Sequence, residues 1–349
     1  MKAVVLEGVN KLVVKDVEVR EPVGDEVLIK IDIAGICGTD LHMWAGTNYE
    51  GTFPFVPGHE WIGHVVKLGK DVRTLKIGDR VTGDVFIPCG TCEVCKTNGA
   101  PQFCKEWKAA FGFRPDSPGG MAEYHLSPEV RLYKIPDSIN DEIGSLVEVV
   151  SVPYHAIWAR SGGLGPHDRV AIIGAGPVGL IATGISLISG AKVIVIEPEP
   201  NRAKLAKEMG AKIIINPSIE NAVEKIMDLT NGLGVTRIIE CSGSKDGIAM
   251  TVDIISVDGA IVLTGQSIGT KIPIEIGKII WKHAKIIGSC GAPFFWPQTI
   301  DFMSKGLVDF SKIITHRFPI DKVLEAFNVG IKTNSGKILI YPDASKMPS

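Results

Sequence analysis

The pattern of apolar and polar positions changes along this 349-residue chain near residue 150. Before that point, apolar residues form short alternating runs at 2–6, 11–15, 26–33, 63–68 and 80–85, separated by turn residues. This alternation is typical of antiparallel strands. After residue 160, short apolar runs alternate with longer helical segments, which is typical of a parallel sheet. The chain is therefore predicted to contain a mostly β region and an α/β region.

The α/β region opens with a strand at 170–173, a glycine-rich turn, an apolar helix, and a strand at 193–196 followed by Glu197. Gly174 permits the tight turn, Gly176 lets the backbone approach a pyrophosphate, and Gly179 lets the helix pack closely on the strand. Glu197 follows the first glycine by 23 residues and can accept hydrogen bonds from ribose hydroxyls. The full turn reads Gly174-Ala175-Gly176-Pro177-Val178-Gly179. This order predicts a dinucleotide site with the phosphates at a helix N-terminus.

A membrane-spanning segment is the alternative interpretation of this stretch, because residues 170–191 contain no charged side chain. Five glycines and Pro177 lie within it, however, and a buried strand and helix of a dinucleotide-binding unit are equally apolar. The membrane interpretation is therefore rejected.

Strands and helices continue to alternate after this unit. Helices are predicted at 202–209, 219–229 and 246–256, and strands at 212–216, 236–241, 260–264 and 285–288. Six strands in this rhythm predict a doubly wound parallel sheet of the Rossmann type. Cys241 and Cys290 fall in or beside strands and are predicted to be core residues. A bridging helix is predicted at 152–160, and helices at 298–305 and 322–331 with a strand at 336–340 near the end.

Composition narrows the function classes. The net charge is −2, so neither a nucleic-acid-binding nor a membrane-binding surface is expected. The apolar run in the N-terminal segment is too short for a signal peptide. This favours a cytoplasmic protein. Four of the seven cysteines lie within 16 residues, and in an intracellular chain such a group indicates metal binding rather than disulfides.

Two groups of residues have the chemistry of zinc ligands. Cys37, His59 and Glu60 supply a thiolate, an imidazole and a carboxylate, which is a ligand set of open catalytic zinc sites. Each of the three taken alone has an ordinary structural explanation, as a core cysteine, a satisfied histidine or a surface charge. The second group has the spacing of a closed structural zinc site and consists of Cys89, Cys92, Cys95 and Cys104.

These motifs resemble those of the zinc-dependent medium-chain alcohol dehydrogenases, and the similarity covers essentially the whole chain. Gly58-His59-Glu60 and Thr315-His316-Arg317-Phe318-Pro319 resemble the polyol (sorbitol) and L-threonine dehydrogenase branch. The resemblance implies a GroES-like catalytic domain at 1–150, completed by 291–349, and an NAD-binding Rossmann domain at 151–290. It also implies two zinc ions per chain, with Glu148 as a further catalytic ligand beside Cys37 and His59, and Glu60 bound permanently or in exchange.

The family resemblance further implies roles in catalysis and assembly. The Thr39 hydroxyl contacts the substrate alcohol, and His42 passes the proton to solvent. NAD is the expected cofactor because a 2′-phosphate would meet the charge of Glu197, and Arg202 is expected on the adenine side. A homotetramer or homodimer is expected.

The expected substrate is a polyol, sugar alcohol or cyclitol, oxidised at a secondary alcohol to a ketone. Gly291 and Ala292 stand where a similar segment of sorbitol dehydrogenases has an Arg-Tyr pair, which argues against sorbitol itself. Trp44 and Tyr49 are candidates for reading the far end of the substrate, although ordinary packing explains them equally well.

Several alternatives compete with this prediction. L-Threonine 3-dehydrogenase is the nearest, because the resemblance to it is comparable. A zinc-free quinone reductase would have no use for the two ligand groups. A non-enzymatic zinc-binding module leaves the glycine-rich turn unexplained, and a structural protein derived from a dehydrogenase would not need Thr39 and His42.

Overall fold

The computed structural model describes residues 1–47, 52–97, 101–292, 294–332 and 334–348. Its strands in the first half are β1 (Lys2–Gly8), β2 (Lys11–Asp16), β3 (Glu26–Ile36), β4 (Glu60–Leu68), β5 (Arg80–Gly83), β6 (Phe86–Ile87), β7 (Ala109–Ala110), β8 (Tyr124–Pro128) and β9 (Leu132–Lys134). The later strands are β10 (Arg169–Ile173), β11 (Lys192–Ile196), β12 (Ile213–Ile215), β13 (Val235–Glu240), β14 (Ile255–Leu263), β15 (Lys285–Gly288), β16 (Ile314–Pro319) and β17 (Lys337–Tyr341).

The α-helices frame these strands. They are α1 (Gly38–Ala45), α2 (Glu93–Thr97), α3 (Asp141–Gly144), α4 (Val147–His155), α5 (Pro177–Ile188), α6 (Pro200–Glu208), α7 (Ala222–Leu229), α8 (Lys245–Ile254), α9 (Ile276–Trp281), α10 (Trp296–Ser304) and α11 (Val323–Ile331). Within the described ranges, none of the helices has the length and apolar character needed to cross a bilayer.

Six strands form the parallel sheet, in the order β12-β11-β10-β13-β14-β15. The strand order reverses on the two sides of β10, and the crevice at such a reversal is where this architecture binds its ligand. The Rossmann prediction is confirmed. The sequence pattern missed α9 and began β14 at residue 260 instead of Ile255, because the apolar run continues directly from α8 into the strand.

A second, mostly antiparallel sheet has the order β16-β17-β3-β4-β5-β9, and β8 also pairs with β3. The strands β16 and β17 come from the end of the chain, and Ile338 of β17 pairs with Ile36 of β3. The chain therefore returns to the sheet that its first residues built. This return brings Lys337 next to residues that lie some 300 positions earlier, which no local pattern reveals.

Helix α4 joins the two sheets and packs against α5, α10 and β4. The sequence placed a helix at 152–160, but α4 begins at Val147 and a π-helical segment continues it over Ala156–Arg160. Leu146 precedes the helix without a side-chain cap, so the usual signal for a helix start is missing here. As a result, Glu148 lies in the first turn of a buried helix.

Candidate active site

The three candidate ligands Cys37, His59 and Glu60 lie together. Cys37 directly follows β3 and caps α1, while Glu60 begins β4, and Gly35 of β3 pairs with Glu60 of β4. One ligand atom from each of the three lies within 4.8 Å of the others. A Cβ on Gly35 would come 2.3 Å from a Glu60 carboxylate oxygen, so only glycine at this position leaves room for that side chain.

Asp40 fixes the geometry of this group and was missed by the sequence reasoning. It is fully buried, and its carboxylate accepts hydrogen bonds from the Cys37 N–H at 2.9 Å and the Gly58 N–H at 3.3 Å. Its Oδ1 also lies 3.8 Å from Nδ1 of His59. An acid three residues after a helix-capping position was the available signal. Burial raises the pKa of Asp40, although His59 and the two N–H donors oppose that rise.

The surroundings of His59 favour a cation. Burial disfavours a charged imidazole, yet the negative charges of Cys37 and Asp40 outweigh that effect and hold the pKa of His59 well above its usual value. A site that favours a proton on this ring in the absence of metal offers the same electrostatic advantage to a metal ion. The thiolate, imidazole and carboxylate donors, gathered at this distance, fit zinc.

Lys337 was also missed, and it contacts the same group. Its ammonium donates to both oxygens of Glu60, at 2.7 and 2.6 Å, and to the carbonyl of Ile36 at 3.1 Å. Burial lowers the pKa of this lysine, but the charge of Glu60 outweighs burial and the pKa is raised overall. The signal in the sequence was a lysine at the start of the apolar strand 337–341, where a buried charge requires a partner.

Glu148 does not belong to the close group of three. It lies within electrostatic range of His59 and Glu60, and it also lines a cavity. Burial and the nearby charge of Glu60 raise the pKa of Glu148 to about 7, although His59 opposes the rise. Glu148 is therefore a buried acid that lies close enough to His59 and Glu60 for their charges to affect it.

The remaining predicted residues of this region lie in different settings. Thr39 Oγ1 is 3.7 Å from Cys37 Sγ, and the exposed Nδ1 of His42 is 3.0 Å from the Thr47 hydroxyl. Trp44 is buried and packs edge-on against Phe327, with ring centroids 5.7 Å apart. This environment favours the packing interpretation of Trp44. Tyr49 lies outside the described residues.

The four clustered cysteines have the geometry of a closed zinc site. Zinc–sulfur bonds of about 2.3 Å in a tetrahedron place the sulfurs roughly 3.8 Å apart. The observed distances are 3.4 Å for Cys92–Cys95 and 3.9 Å for both Cys89–Cys95 and Cys92–Cys104. No disulfide joins them. The hydroxyl and N–H of Thr91 and the N–H of Cys92 lower the pKa of Cys89 to about 6, so a thiolate is readily formed.

The glycine-rich turn has the shape that a dinucleotide requires. Gly174 has φ +88°, and a Cβ there would lie 2.9 Å from Ser242. A Cβ on Gly179 would come 1.8 Å from the Gly174 carbonyl oxygen. Gly176 directly precedes α5, and Pro177 and Val178 are the first two residues of that helix. The unpaired N–H groups in the first turn of the helix therefore face the glycine-rich segment.

Two acidic residues and one arginine border this turn. Glu197 is buried, and its two oxygens accept hydrogen bonds from the N–H groups of Ala175 at 2.5 Å and Glu199 at 2.9 Å. Glu199 in turn accepts from the Arg202 N–H at the start of α6. Arg202 Nε donates to the Ser335 carbonyl at 3.2 Å, and its guanidinium is near Gly176. Burial lowers the pKa of Arg202, while the two glutamates oppose that change.

Two further sequence interpretations can be compared with the structure. Cys290 is exposed and not a core residue, so that prediction was wrong; β15 ends at Gly288 on the edge of the sheet and leaves this cysteine in a loop. Arg317, in the segment that resembles the polyol branch, binds both oxygens of Glu142, at 2.5 and 2.8 Å. This motif therefore ties β16 to α3.

Comparison with known proteins agrees with this geometry. Residues 24–137 match the family model of the alcohol dehydrogenase GroES-like domain, and residues 177–305 match the model of the zinc-binding dehydrogenases. The chain belongs to the zinc-dependent alcohol dehydrogenase family. It is accordingly an oxidoreductase of the class that uses zinc and a nicotinamide dinucleotide.

The similar members of this zinc dehydrogenase family have different named substrates. The chain is 32% identical to a D-arabitol-phosphate dehydrogenase of Enterococcus avium (95% of this chain, 94% of the other) and 32% identical to a sorbitol dehydrogenase of Bacillus subtilis (98% of each). It is 34% identical to an L-threonine 3-dehydrogenase of Proteus mirabilis (93% and 94%). A solved zinc-binding dehydrogenase of Sinorhizobium meliloti, bound to NADP, is 31% identical with a TM-score of 0.91, covering 98% and 99%.

Proposed function

We propose that this protein oxidises a secondary alcohol of a polyol, sugar alcohol or cyclitol to a ketone, with NAD as the hydride acceptor. The observation that carries the proposal is the grouping of Cys37, His59 and Glu60, with Glu148 in electrostatic range of that group and lining a cavity. Such a ligand set next to a cavity suits a metal site that remains open to substrate.

Cys37, His59 and Glu148 are the proposed holders of the catalytic zinc, with Glu60 as a further or exchanging ligand. Bound zinc supplies a Lewis acid, which lowers the pKa of an alcohol toward neutrality. Asp40 orients Cys37 and the Gly58–His59 backbone through its two accepted hydrogen bonds. Lys337 fixes Glu60 and balances its charge.

Thr39 and His42 are the proposed proton-handling residues. Both lie on α1, which starts directly after Cys37. The Thr39 hydroxyl lies next to Cys37 and can exchange hydrogen bonds with an alcohol at the metal. His42 follows three residues later on the same helix and is exposed, so its ring can release a proton to solvent.

NAD is the proposed cofactor rather than NADP. Its nicotinamide accepts the hydride, and the protein's part is to hold the two reacting carbons together. Support comes from Glu197 and Glu199, two carboxylates at the end of β11 where the adenosine ribose would lie. Arg202 Nε donates to the Ser335 carbonyl, and the adenine side is the position proposed for this arginine.

The four-cysteine group is proposed to hold a second zinc with a structural role. Its sulfurs accept hydrogen bonds from several backbone N–H groups, including those of Cys89 and Glu106 to Cys104 at 3.2 and 3.4 Å. These donors stabilise thiolates, and four thiolate ligands would leave no open coordination position for a substrate.

We also propose the predicted domain boundaries, a cytoplasmic location and a homodimer or homotetramer. The pairing of β17 with β3 supports a catalytic domain completed by residues 291–349. The reduced four-cysteine group suits a reducing compartment. Light scattering tests the assembly, which a monomer mass of 37.5 kDa would refute.

L-Threonine oxidation is the second candidate, because the similar L-threonine dehydrogenase matches this chain as well as the polyol enzymes do.

Steady-state NADH formation with zinc-loaded protein tests the proposed function. Cys37→Ser and Glu148→Gln should each abolish most activity and reduce the zinc content by one ion, since each removes a ligand of the catalytic metal. Cys241→Ser, which changes a thiol outside both ligand groups, should retain two ions and activity. Full activity in Cys37→Ser would contradict the proposed zinc site.

A further inference from the structure

The cavity that Glu148 lines is small, with a volume of about 30 Å³, which is room for one hydroxyl group. Its wall includes Asp84 at the end of β5, Gln102 from the four-cysteine lobe, Ser151 of α4, and Gly291 and Ala292. Gly291 and Ala292 carry no polar side chain, which leaves Asp84, Gln102 and Ser151 as the polar groups of this wall besides Glu148 itself.

Asp84 is a nearly buried carboxylate with capacity for another hydrogen bond. Its side chain is 11% exposed, and Oδ2 accepts from Arg131 Nη1 at 3.1 Å. The N–H groups of Val85 and Phe86 also donate to it, and burial raises its pKa despite these partners. A carboxylate has about four lone-pair positions, so three donors leave one for a substrate hydroxyl.

Gln102 comes from a different part of the fold. It lies two residues before Cys104, and its Nε2 donates to the Cys290 carbonyl at 3.0 Å. The lobe that the four cysteines organise thus reaches the segment 290–292 and closes one side of the cavity. The amide oxygen and the second N–H of Gln102 suit the donor and acceptor of an alcohol group.

The charged side chains of the wall are all negative. It carries the carboxylates of Asp84 and Glu148, and none of its described residues is a lysine, arginine or histidine. Arg131, the partner of Asp84, is not among the wall residues. A phosphate or carboxylate on the substrate would therefore meet like charge here without a cation to neutralise it.

We infer that Asp84 and Gln102 read the hydroxyl groups at the far end of an uncharged polyol. This inference rests on the proposed function and narrows its substrate class. A polyol phosphate would need a cation at this wall. The inference therefore distinguishes the substrate of this chain from that of relatives named for a polyol phosphate.

Specificity constants for matched substrates test the inference. D-Arabitol and D-arabitol phosphate differ only in the charged group, and 2-butanol lacks the distal hydroxyls. The wild-type protein should prefer D-arabitol over its phosphate by tenfold or more. Asp84→Asn removes the charge but keeps the shape, and should lower that preference by about ten- to hundredfold, the range of one charge-assisted hydrogen bond.

Gln102→Leu supplies an independent test on a different element. It should raise KM for D-arabitol about tenfold and leave the specificity constant for 2-butanol unchanged, because only the polyol reaches Gln102. Asp116→Asn is a matched control, since Asp116 also pairs with an arginine, Arg114, but is exposed. Gln298→Leu, on the exposed side of α10, is the control for Gln102. Neither control should change the preference.

The outcomes distinguish the two levels of the proposal. A wild-type preference for D-arabitol phosphate, or variants that slow all three substrates equally, would overturn the role of Asp84 and Gln102 while the dehydrogenase function stands. Absence of NADH formation from every secondary alcohol, charged or neutral, would overturn the proposed function and the inference together. Zinc content and circular dichroism of each variant establish that it is folded.

Discussion

Lys337 and Glu60 form an ion pair that is almost completely shielded from solvent, with 2% and 0% of their side chains exposed. The pair lies beside the proposed catalytic metal site. With Cys37, Asp40, Glu60 and Glu148 ionised, the site carries four negative charges, and Lys337 reduces them to three. A divalent cation would reduce the remainder to one, so Lys337 supplies part of the positive charge that this acidic group needs.

Removing one partner of this pair should be costly. Lys337→Met leaves the Glu60 carboxylate buried without a cation, so the free energy of unfolding should fall by about 3–5 kcal/mol. Urea denaturation measures this free energy of unfolding. Lys332→Met, at an exposed position on the same segment, serves as the control. The double variant with Glu60→Gln should recover part of the loss. A change below about 1 kcal/mol would mean that Glu60 does not depend on Lys337.

His125 should make the protein sensitive to acid. It is buried between Trp61 and Phe111, and burial lowers its pKa to about 4 from an ordinary 6.5. Below pH 6.5, the ordinary pKa of histidine, His125 takes up a proton in the unfolded chain. In the folded chain it stays neutral until the pH falls to about 4. Stability is therefore lost as the pH falls through this window.

The size of this effect follows from the two values. Between about pH 7.5 and pH 5, His125 should cost about 2 kcal/mol of stability. The difference in urea stability between the wild type and His125→Asn, measured at both pH values, isolates this contribution because the metal sites are the same in both proteins. His167→Asn, an exposed histidine, should show no such change. A pH-independent difference would contradict the buried neutral histidine.

The four-cysteine lobe should affect both stability and substrate affinity. Cys92→Ser should reduce the zinc content from two ions to one and lower the melting temperature, because the metal organises the loop. KM for polyols should rise more than kcat falls, since the lobe supplies Gln102 to the cavity wall. Metal analysis and steady-state kinetics measure both. An unchanged zinc content in Cys92→Ser would contradict the structural site.

Cofactor choice should depend on Glu197. The wild type should prefer NAD over NADP by at least tenfold, which corresponds to about 1.4 kcal/mol. Glu197→Gln keeps the shape but removes the charge that would repel a 2′-phosphate, so the preference should fall. Glu208→Gln, at the exposed end of α6, is the control. A wild-type preference for NADP would contradict the role proposed for Glu197.

The sequence was most informative where function and structure are local. The glycine-rich turn, its strands and Glu197 lie within 30 residues. The spacing of apolar residues indicates each strand and helix of this unit. The four cysteines likewise lie close together, so their spacing alone indicates a metal site. The parallel sheet followed from the same local patterns.

Contacts between distant segments were not predictable in this way. Lys337 meets Glu60 only because β17 returns to pair with β3. Gln102 reaches the cavity because a loop from one lobe touches the segment after β15. The start of α4 was missed because no capping residue precedes it, which concealed that Glu148 lies on a buried helix.

The ratio of specificity constants across substrate classes tests the central claim most directly. Zinc-loaded protein should be assayed with NAD and, in parallel, a panel of polyols and cyclitols, L-threonine and 2-butanol. The account predicts that at least one uncharged polyol or cyclitol has the highest kcat/KM, because the cavity beyond Glu148 presents hydroxyl-binding groups and no cation. A higher kcat/KM for L-threonine or for 2-butanol than for every polyol and cyclitol would contradict it.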